Sequence, residues 1–310
     1  MKIFVLVFLI VGKCLARDYV TICEEWGQFG SQLFSYAIVM SWAWTHDKIP
    51  VFSKEFLIGR PGGQLNYDRI FHRLPQNISG DIHINPDKPY HIGKYQSIGG
   101  IPCHFVPGNV CMCGVTHEFT YFDPYKDRIR ELYAAPAEVL SELKGKYSRI
   151  LDHPKTVAVH IRTYHPQLEL HCFLGEEYYQ TAMDFFDDEH LFVVFSDRIE
   201  WCKRHLNWQG ENVVFIEGND YITDFYLMTF CKNLVTSNST FSWWAAYLKQ
   251  TPDGLIIAPN RWFYDPYDAD PYLNRISKNF YPNDWVILSV PSPERDWTLI
   301  EYKTSSLHEN

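Results

Sequence analysis

Along residues 155–258, short apolar runs alternate with amphipathic stretches. Residues 156–161 and 191–196 are continuous apolar runs of strand length, and 212–216, 234–236 and 255–258 repeat the pattern more briefly. Between them, 176–186, 197–206, 221–231 and 240–249 carry apolar residues at helical spacing. Strands apolar on both faces and separated by helices predict a parallel, doubly wound α/β sheet. Nearer the N-terminus, 19–23 reads as a strand, Gly27 and Gly30 as a turn, and 31–45 as a helix with Leu33, Phe34, Ala37, Met40, Ala43 and Trp44 on its apolar positions. Residues 50–125 are irregular, with strands expected at 82–84 and 91–95; 128–133 and 136–147 read as helices.

Doubly wound sheets bind ligands beyond the carboxyl ends of their strands, so the residues that directly follow strands carry the chemistry. Three clusters do so in the second half. His160-Ile161-Arg162 ends the run from 156, and Ser196-Asp197 ends the run from 191. Asn238-Ser239-Thr240-Phe241-Ser242 follows 234–236 and opens a helix. Two hydroxyls and unpaired N–H groups at a helix start suit a phosphate. Arg162 offers a fork that pairs with phosphate oxygens, and Asp197 can accept hydrogen bonds from a base or ribose. Any one of these residues has an ordinary alternative: a helix cap for Asn238 or Ser239, a satisfied core histidine for His160, an ion pair for Arg162. Their convergence on strand ends reads as a nucleotide-diphosphate site without a P-loop.

Charge and cysteine content narrow the class. The 310 residues carry 28 Lys and Arg against 37 Asp and Glu, a net −9. A leader at 1–16, with Lys2 ahead of an apolar run and Ala16 at its end, reads as a signal peptide or short signal anchor. Without its two lysines the charge is −11, so nonspecific nucleic-acid binding, which needs a basic footprint, is excluded. The leader implies the secretory lumen (Golgi-type) or secretion, with membrane contact only through that segment. Eight cysteines suit an oxidising compartment, but losing Cys14 leaves an odd number. Cys103, Cys111 and Cys113 lie near His104 and His117 in a spacing that fits no common zinc pattern, and a disulfide within that loop is the expectation. Aromatic residues reach 16%, which suits a sugar-stacking surface or a bulky core.

The run from Asp224 to Leu248, which contains Asn238-Ser-Thr-Phe-Ser-Trp-Trp244, closely resembles glycosyltransferase family 11, the α-1,2-fucosyltransferases. Phe195-Ser-Asp-Arg-Ile-Glu-Trp-Cys202, Trp26-Gly-Gln-Phe-Gly-Ser-Gln-Leu-Phe34 and His160-Ile-Arg162 resemble that family's other signatures, in its order. The resemblance implies a GT-B fold, with two Rossmann-like parallel-sheet halves facing a cleft. Residues 18–150 would be the acceptor-side half, 151–262 the donor half, and 263–310 a tail packing back across both. It implies GDP-L-fucose as donor, a galactoside-type glycan as acceptor, inversion at the anomeric carbon, and neither cofactor nor metal. By position, Arg162 would hold the diphosphate, and Ser239 and Thr240 would contact phosphate; His160 and Asn238, in the same motifs, count among the donor-binding residues. Phe241 would pack near the nucleotide and Asp197 would sit at its guanosine side. Gly27, Gln28, Gly30, Ser31 and Gln32 would close over the donor from the other half.

The chain departs from the family pattern at Thr163, Tyr164 and His165, where the family has Arg, Gly and Asp, and at Gln28 and Ser31, the latter in place of Asn. These departures leave two alternatives open: a catalytically impaired relative that binds glycan or nucleotide sugar, and a fucosyltransferase of another linkage or protein acceptor. An inverting displacement usually needs a base for the acceptor proton. Glu169 and His165 follow Arg162 in a loop and are the candidates, with His171 behind them; solvated loop residues are the alternative. Asp268-Ala-Asp270 mimics a metal-binding pair, but lies in a Pro/Tyr-rich tail with no strand before it. Asn77 and Asn238 head glycosylation sequons. A glycan at Asn238 would block the donor, so that residue is expected to be unmodified.

Overall fold

The computed structural model describes residues 18–24, 27–76, 90–91, 108–113, 117–163, 171–206, 208, 210–251, 253–263 and 280–290. It contains two all-parallel sheets, as the apolar strands require. The first joins β1 (Tyr19–Glu24), β2 (Ile49–Pro50), β3 (Tyr90–His91) and β4 (Val110–Cys113) in the order β2-β1-β4-β3. The second joins β5 (Thr156–Ile161), β6 (Leu191–Ser196), β7 (Val213–Phe215), β8 (Asn233–Val235), β9 (Ile256–Pro259) and β10 (Val286–Leu288) in the order β10-β9-β8-β5-β6-β7. Each strand order reverses once, between β1 and β4 and between β5 and β8. Those two reversals are where a doubly wound sheet opens a ligand crevice.

Nine α-helices lie among the described residues: α1 (Phe29–Thr45), α2 (Lys54–Ile58), α3 (Gly63–Arg69), α4 (Lys126–Leu132), α5 (Ala137–Leu151), α6 (Gly175–Met183), α7 (Ile199–His205), α8 (Tyr221–Phe230) and α9 (Thr240–Tyr247). The predicted elements from 128 to 258 appear with ends shifted by at most four residues. The short helices α2 and α3 fall where the sequence reads as irregular. The strand expected at 82–84 lies outside the described residues, and that at 91–95 does so beyond His91. The tail is more than packing: Val286, Ile287 and Leu288 pair with Ile257, Ala258 and Pro259 and extend the second sheet at its edge.

Helix α1 explains how the halves are held. An amphipathic surface helix buries one stripe, but α1 buries nearly every residue from Phe29 to Ala43. It lies between the first sheet and α9. The Phe34 ring sits 4.6 Å from Trp243, 4.9 Å from Trp244 and 5.8 Å from Phe280 (centroid distances), joining both halves and the tail. Trp243 donates its indole N–H to the Phe280 carbonyl at 2.9 Å. Among the described residues, eight Trp and Tyr side chains, including Trp243, Trp244, Tyr36 and Tyr133, are fully buried. Much of the aromatic excess is therefore core. One hydrophobic cluster runs continuously from Val20 in β1 to Ala258 in β9, so the halves share a core.

Candidate functional site

The two crevices face each other, and the contact between them is made by backbone. β1 leads into α1, and β8 leads into α9. The N-termini of these helices meet so closely that a Cβ on Gly30 would lie 2.4 Å from Thr240 Oγ1, 2.6 Å from Thr240 C and 2.8 Å from Phe241 N. Only glycine permits this approach. Two helix starts, each with unpaired N–H groups and the positive end of a dipole, thereby point into one region. Ser239 caps α9 by accepting from the Phe241 N–H at 3.3 Å. Gln28 occupies the corresponding position of α1 with an exposed side chain that caps nothing, while its carbonyl accepts from Ser31 N and Gln32 N at 3.0 and 3.1 Å.

Arg162 stands at the carboxyl end of β5 beside the α9 start. Its Nη1 donates to Asp197 Oδ2 at 2.8 Å. The other oxygen of Asp197 accepts from Thr163 N–H and Thr163 Oγ–H, each at 3.1 Å. Asp197 thus fixes the guanidinium, and Thr163, in the place of the family's second arginine, is tied to the same carboxylate. The Arg162 side chain is 37% exposed. The sequence reading assigns Asp197 to a base or ribose; in the structure its partners are Arg162 and Thr163.

His160 is buried at the end of β5. Its Nδ1 and Ser237 Oγ share a hydrogen bond of 2.8 Å, and its ring lies 5.3 Å from that of Phe241. Burial, with the Arg162 charge second, pushes its pKa down to about 3, so the ring is neutral. Phe241 completes an aromatic patch with Phe29 at 6.0 Å and Phe225 at 5.6 Å.

Two predicted ligands turn inward. Asn238 is fully buried and donates to the carbonyls of Cys172 at 2.7 Å and Trp262 at 3.0 Å, latching two segments behind the crevice. A glycan cannot attach there in the folded protein. Gln32 is also fully buried; its amide donates to Pro61 O at 2.8 Å and Gly27 O at 3.4 Å, and its Oε1 accepts from Asn66 at 3.1 Å. Asn66 Oδ1 in turn accepts from the Tyr221 hydroxyl of the other half. Gln32 therefore positions the Gly27 turn through a buried polar network rather than reaching a ligand. The base candidates His165 and Glu169 lie outside the described residues, as do Asn77, Asp268, Asp270, Cys103, His104 and the leader 1–16. No group of three or more His, Cys, Asp or Glu residues poised to hold a metal occurs among the described residues, and none of their helices is long and apolar enough to cross a membrane.

A second pair of residues at the crevice was not singled out by the sequence reading as a unit. His117 follows β4, at the reversal of the first sheet, and its Nε2 lies 3.3 Å from Ser31 Oγ in the first turn of α1. Its ring is walled by Phe34 at 5.1 Å and Phe280 at 6.1 Å. His171, from the other half, bridges to Phe263 with ring centroids 5.1 Å apart. Burial and then the charge of His171 push His117 down to about 4; burial and then Arg162 do the same for His171.

Residues 23–289 match the family model described as Glycosyl transferase family 11. The chain belongs to glycosyltransferase family 11. Within that family it is 34% identical over 167 residues to alpha-1,2-colitosyltransferase of Escherichia coli, covering 50% of this chain and 57% of the relative. It is 30% identical over 166 residues to galactoside alpha-(1,2)-fucosyltransferase 1 of Homo sapiens, covering 50% and 43%. The chain spans about half the length of the curated relatives it matches. Among solved structures it resembles fucosyltransferase NodZ from Bradyrhizobium, with a TM-score of 0.54 at 12% identity over 78% of this chain and 94% of that one. It also resembles NodZ alpha-1,6-fucosyltransferase soaked with GDP-fucose, with a TM-score of 0.50 at 13% identity over 78% and 95%. At such identity the likeness establishes the fold, which is GT-B: two parallel α/β halves facing a cleft.

Proposed function

We propose that this family 11 chain transfers L-fucose from GDP-L-fucose to a galactoside hydroxyl, with inversion and α-1,2 linkage. The observation that carries the reading is the meeting of the α1 and α9 N-termini at Gly30 and Thr240, beside an arginine held by Asp197. That arrangement is built for a diphosphate, and family relatives are named for 1,2-transfer of fucose or colitose.

The leaving group of such a reaction is GDP, which gains negative charge as the bond to C1 breaks. Arg162 and the Thr240 N–H at the α9 start are fixed before the reaction begins, so they stabilise that charge without reorganising. Asp197 and Thr163 keep the guanidinium in place, and Ser239 caps the first turn of α9 and fixes its direction. His160 is neutral and adds no second cation. Phe241, half-buried and backed by the core residues Phe29 and Phe225, offers an apolar face against which a nucleotide or sugar ring can pack.

Cationic and dipolar groups in this cleft do what a divalent ion does in a metal-dependent transferase, so transfer should not depend on added metal. The test is incubation with GDP-fucose and a panel of β-galactoside acceptors in EDTA, with linkage analysis of the product. The expected result is a 2-linked α-fucoside formed at an undiminished rate. Activity that vanishes in EDTA and returns with Mn²⁺ contradicts stabilisation of the leaving group by Arg162 and the helix start. A different linkage corrects the acceptor assignment, and GDP release without product shows hydrolysis instead of transfer.

A further inference from the structure

We infer that His117 is the group that receives the acceptor proton, an inference that rests on the glycosyl-transfer reading above. The placement is topological first. In the second sheet the strand reversal holds Arg162 and the α9 start. The equivalent reversal in the first sheet, between β1 and β4, holds Ser31 and His117, and Gly30 brings these two places into contact. The leaving group is held from the donor half, so the acceptor must come from the other half, and among the described residues His117 is a titratable ring that this half sets beside the helix junction.

Its immediate surroundings fit the role. Phe34 and Phe280 hold the ring from two sides, leaving Nε2 toward Ser31. The bond to Ser31 Oγ is 3.3 Å, at the long end for a hydrogen bond and easily exchanged. In the tautomer with its proton on Nδ1, Nε2 presents a lone pair. An acceptor hydroxyl that takes over the place of Ser31 Oγ gives its proton to Nε2. The acceptor oxygen forms the new bond to C1, the bond from C1 to the phosphate oxygen breaks, and its electron pair leaves on GDP. The imidazolium forms as GDP becomes more negative, so the two new charges stabilise each other.

The titratable group that bears on His117 is His171, whose own charge state feels Arg162. Both histidines are held neutral in the free enzyme, as a base must be. Burial is the larger cause in both; a diphosphate on Arg162 would offset only the smaller contribution of that charge at His171.

The decisive variants are His117→Phe, which keeps the aromatic packing and removes the nitrogens, and His117→Ala, which opens a space for exogenous imidazole. His117→Phe should lose about a hundredfold or more in kcat, the scale of general base catalysis, with GDP affinity by calorimetry within about twofold of wild type. Imidazole should restore turnover to His117→Ala and not to His117→Phe. A folded His117→Phe that keeps kcat within about threefold, or that loses GDP affinity as much as rate, overturns the inference. A measurement on the wild type needs no variant. An ordinary histidine base, with a pKa of about 6.5, would lose roughly fourfold in kcat/KM between pH 8 and pH 6. His117 should hold kcat/KM nearly constant over that range, and a limb centred at 6.5 or above counts against it. If the wild type transfers no sugar from GDP-fucose to any acceptor, the functional reading fails. If it transfers and His117→Phe transfers equally well, only this inference fails.

Discussion

Gly30→Ala should abolish donor binding and destabilise the protein, whereas Gly145→Ala should stabilise it. Both glycines lie in helices, and alanine is favoured over glycine in a helix interior by up to about 1 kcal/mol. At Gly145 in α5 an added Cβ meets nothing within 4 Å, so the helix gain stands. At Gly30 the Cβ meets Thr240 and the Phe241 nitrogen at 2.4–2.8 Å. Two of those three atoms are backbone, and α9 cannot retreat because Trp243 and Trp244 lock it against Phe34. The N-termini must then separate. Overpacking of this kind costs about 1–3 kcal/mol, and more where backbone must move. Thermal melts should show the two substitutions moving in opposite directions. GDP calorimetry should show binding lost in Gly30→Ala alone.

Stability should fall steeply on mild acidification, with His160 the largest single source. In the unfolded chain its imidazole takes up a proton near pH 6.5; in the fold it stays neutral until about pH 3. Between those values the unfolded state binds the extra proton, so the contribution of neutral His160 is fully present above about pH 6.5 and is progressively lost below it. The depression corresponds to a penalty on the order of 4 kcal/mol by pH 3. His117 and His171, depressed to about 4, add to the same trend over a narrower window. Urea titrations at pH 7.5, 6 and 5 should show a falling midpoint. His160→Gln should flatten that dependence, at the cost of the Ser237 contact at neutral pH. A midpoint independent of pH across this range contradicts the picture of three neutral histidines.

Much of the second half was legible because its strands are buried on both faces: a run such as Thr-Val-Ala-Val-His-Ile has one reading once helices flank it. β10 was not, since Val286-Ile-Leu288 is three residues long and becomes a strand only by pairing with β9. The helices α2 and α3 were hidden by their length and by the glycines and proline between them. In the candidate site, the glycine turn, Arg162, Ser239 and Thr240 stand after strands in the sequence and in the structure alike. The inward rotation of Gln32 and Asn238 was not legible, because a signature gives residue identity and not which polar group faces the core. Asn66 and Tyr221, which complete the Gln32 network, carry no local pattern at all. His117 stands in sequence among the loop cysteines. Its meeting with Ser31 joins positions 86 residues apart, and only the strand order β2-β1-β4-β3 brings them together.

The most direct test of the donor site is calorimetry of GDP binding to the wild type and Arg162→Ala, with a thermal melt of each. Arg162 lies at a strand end and is partly exposed, so the variant should fold with an unchanged melting temperature. Losing a charge-assisted hydrogen bond to the diphosphate, worth about 1.5–3 kcal/mol, should weaken GDP roughly tenfold or more. A folded Arg162→Ala protein that binds GDP as tightly as the wild type would remove Arg162 from the site and contradict a donor diphosphate held between that arginine and the α9 start.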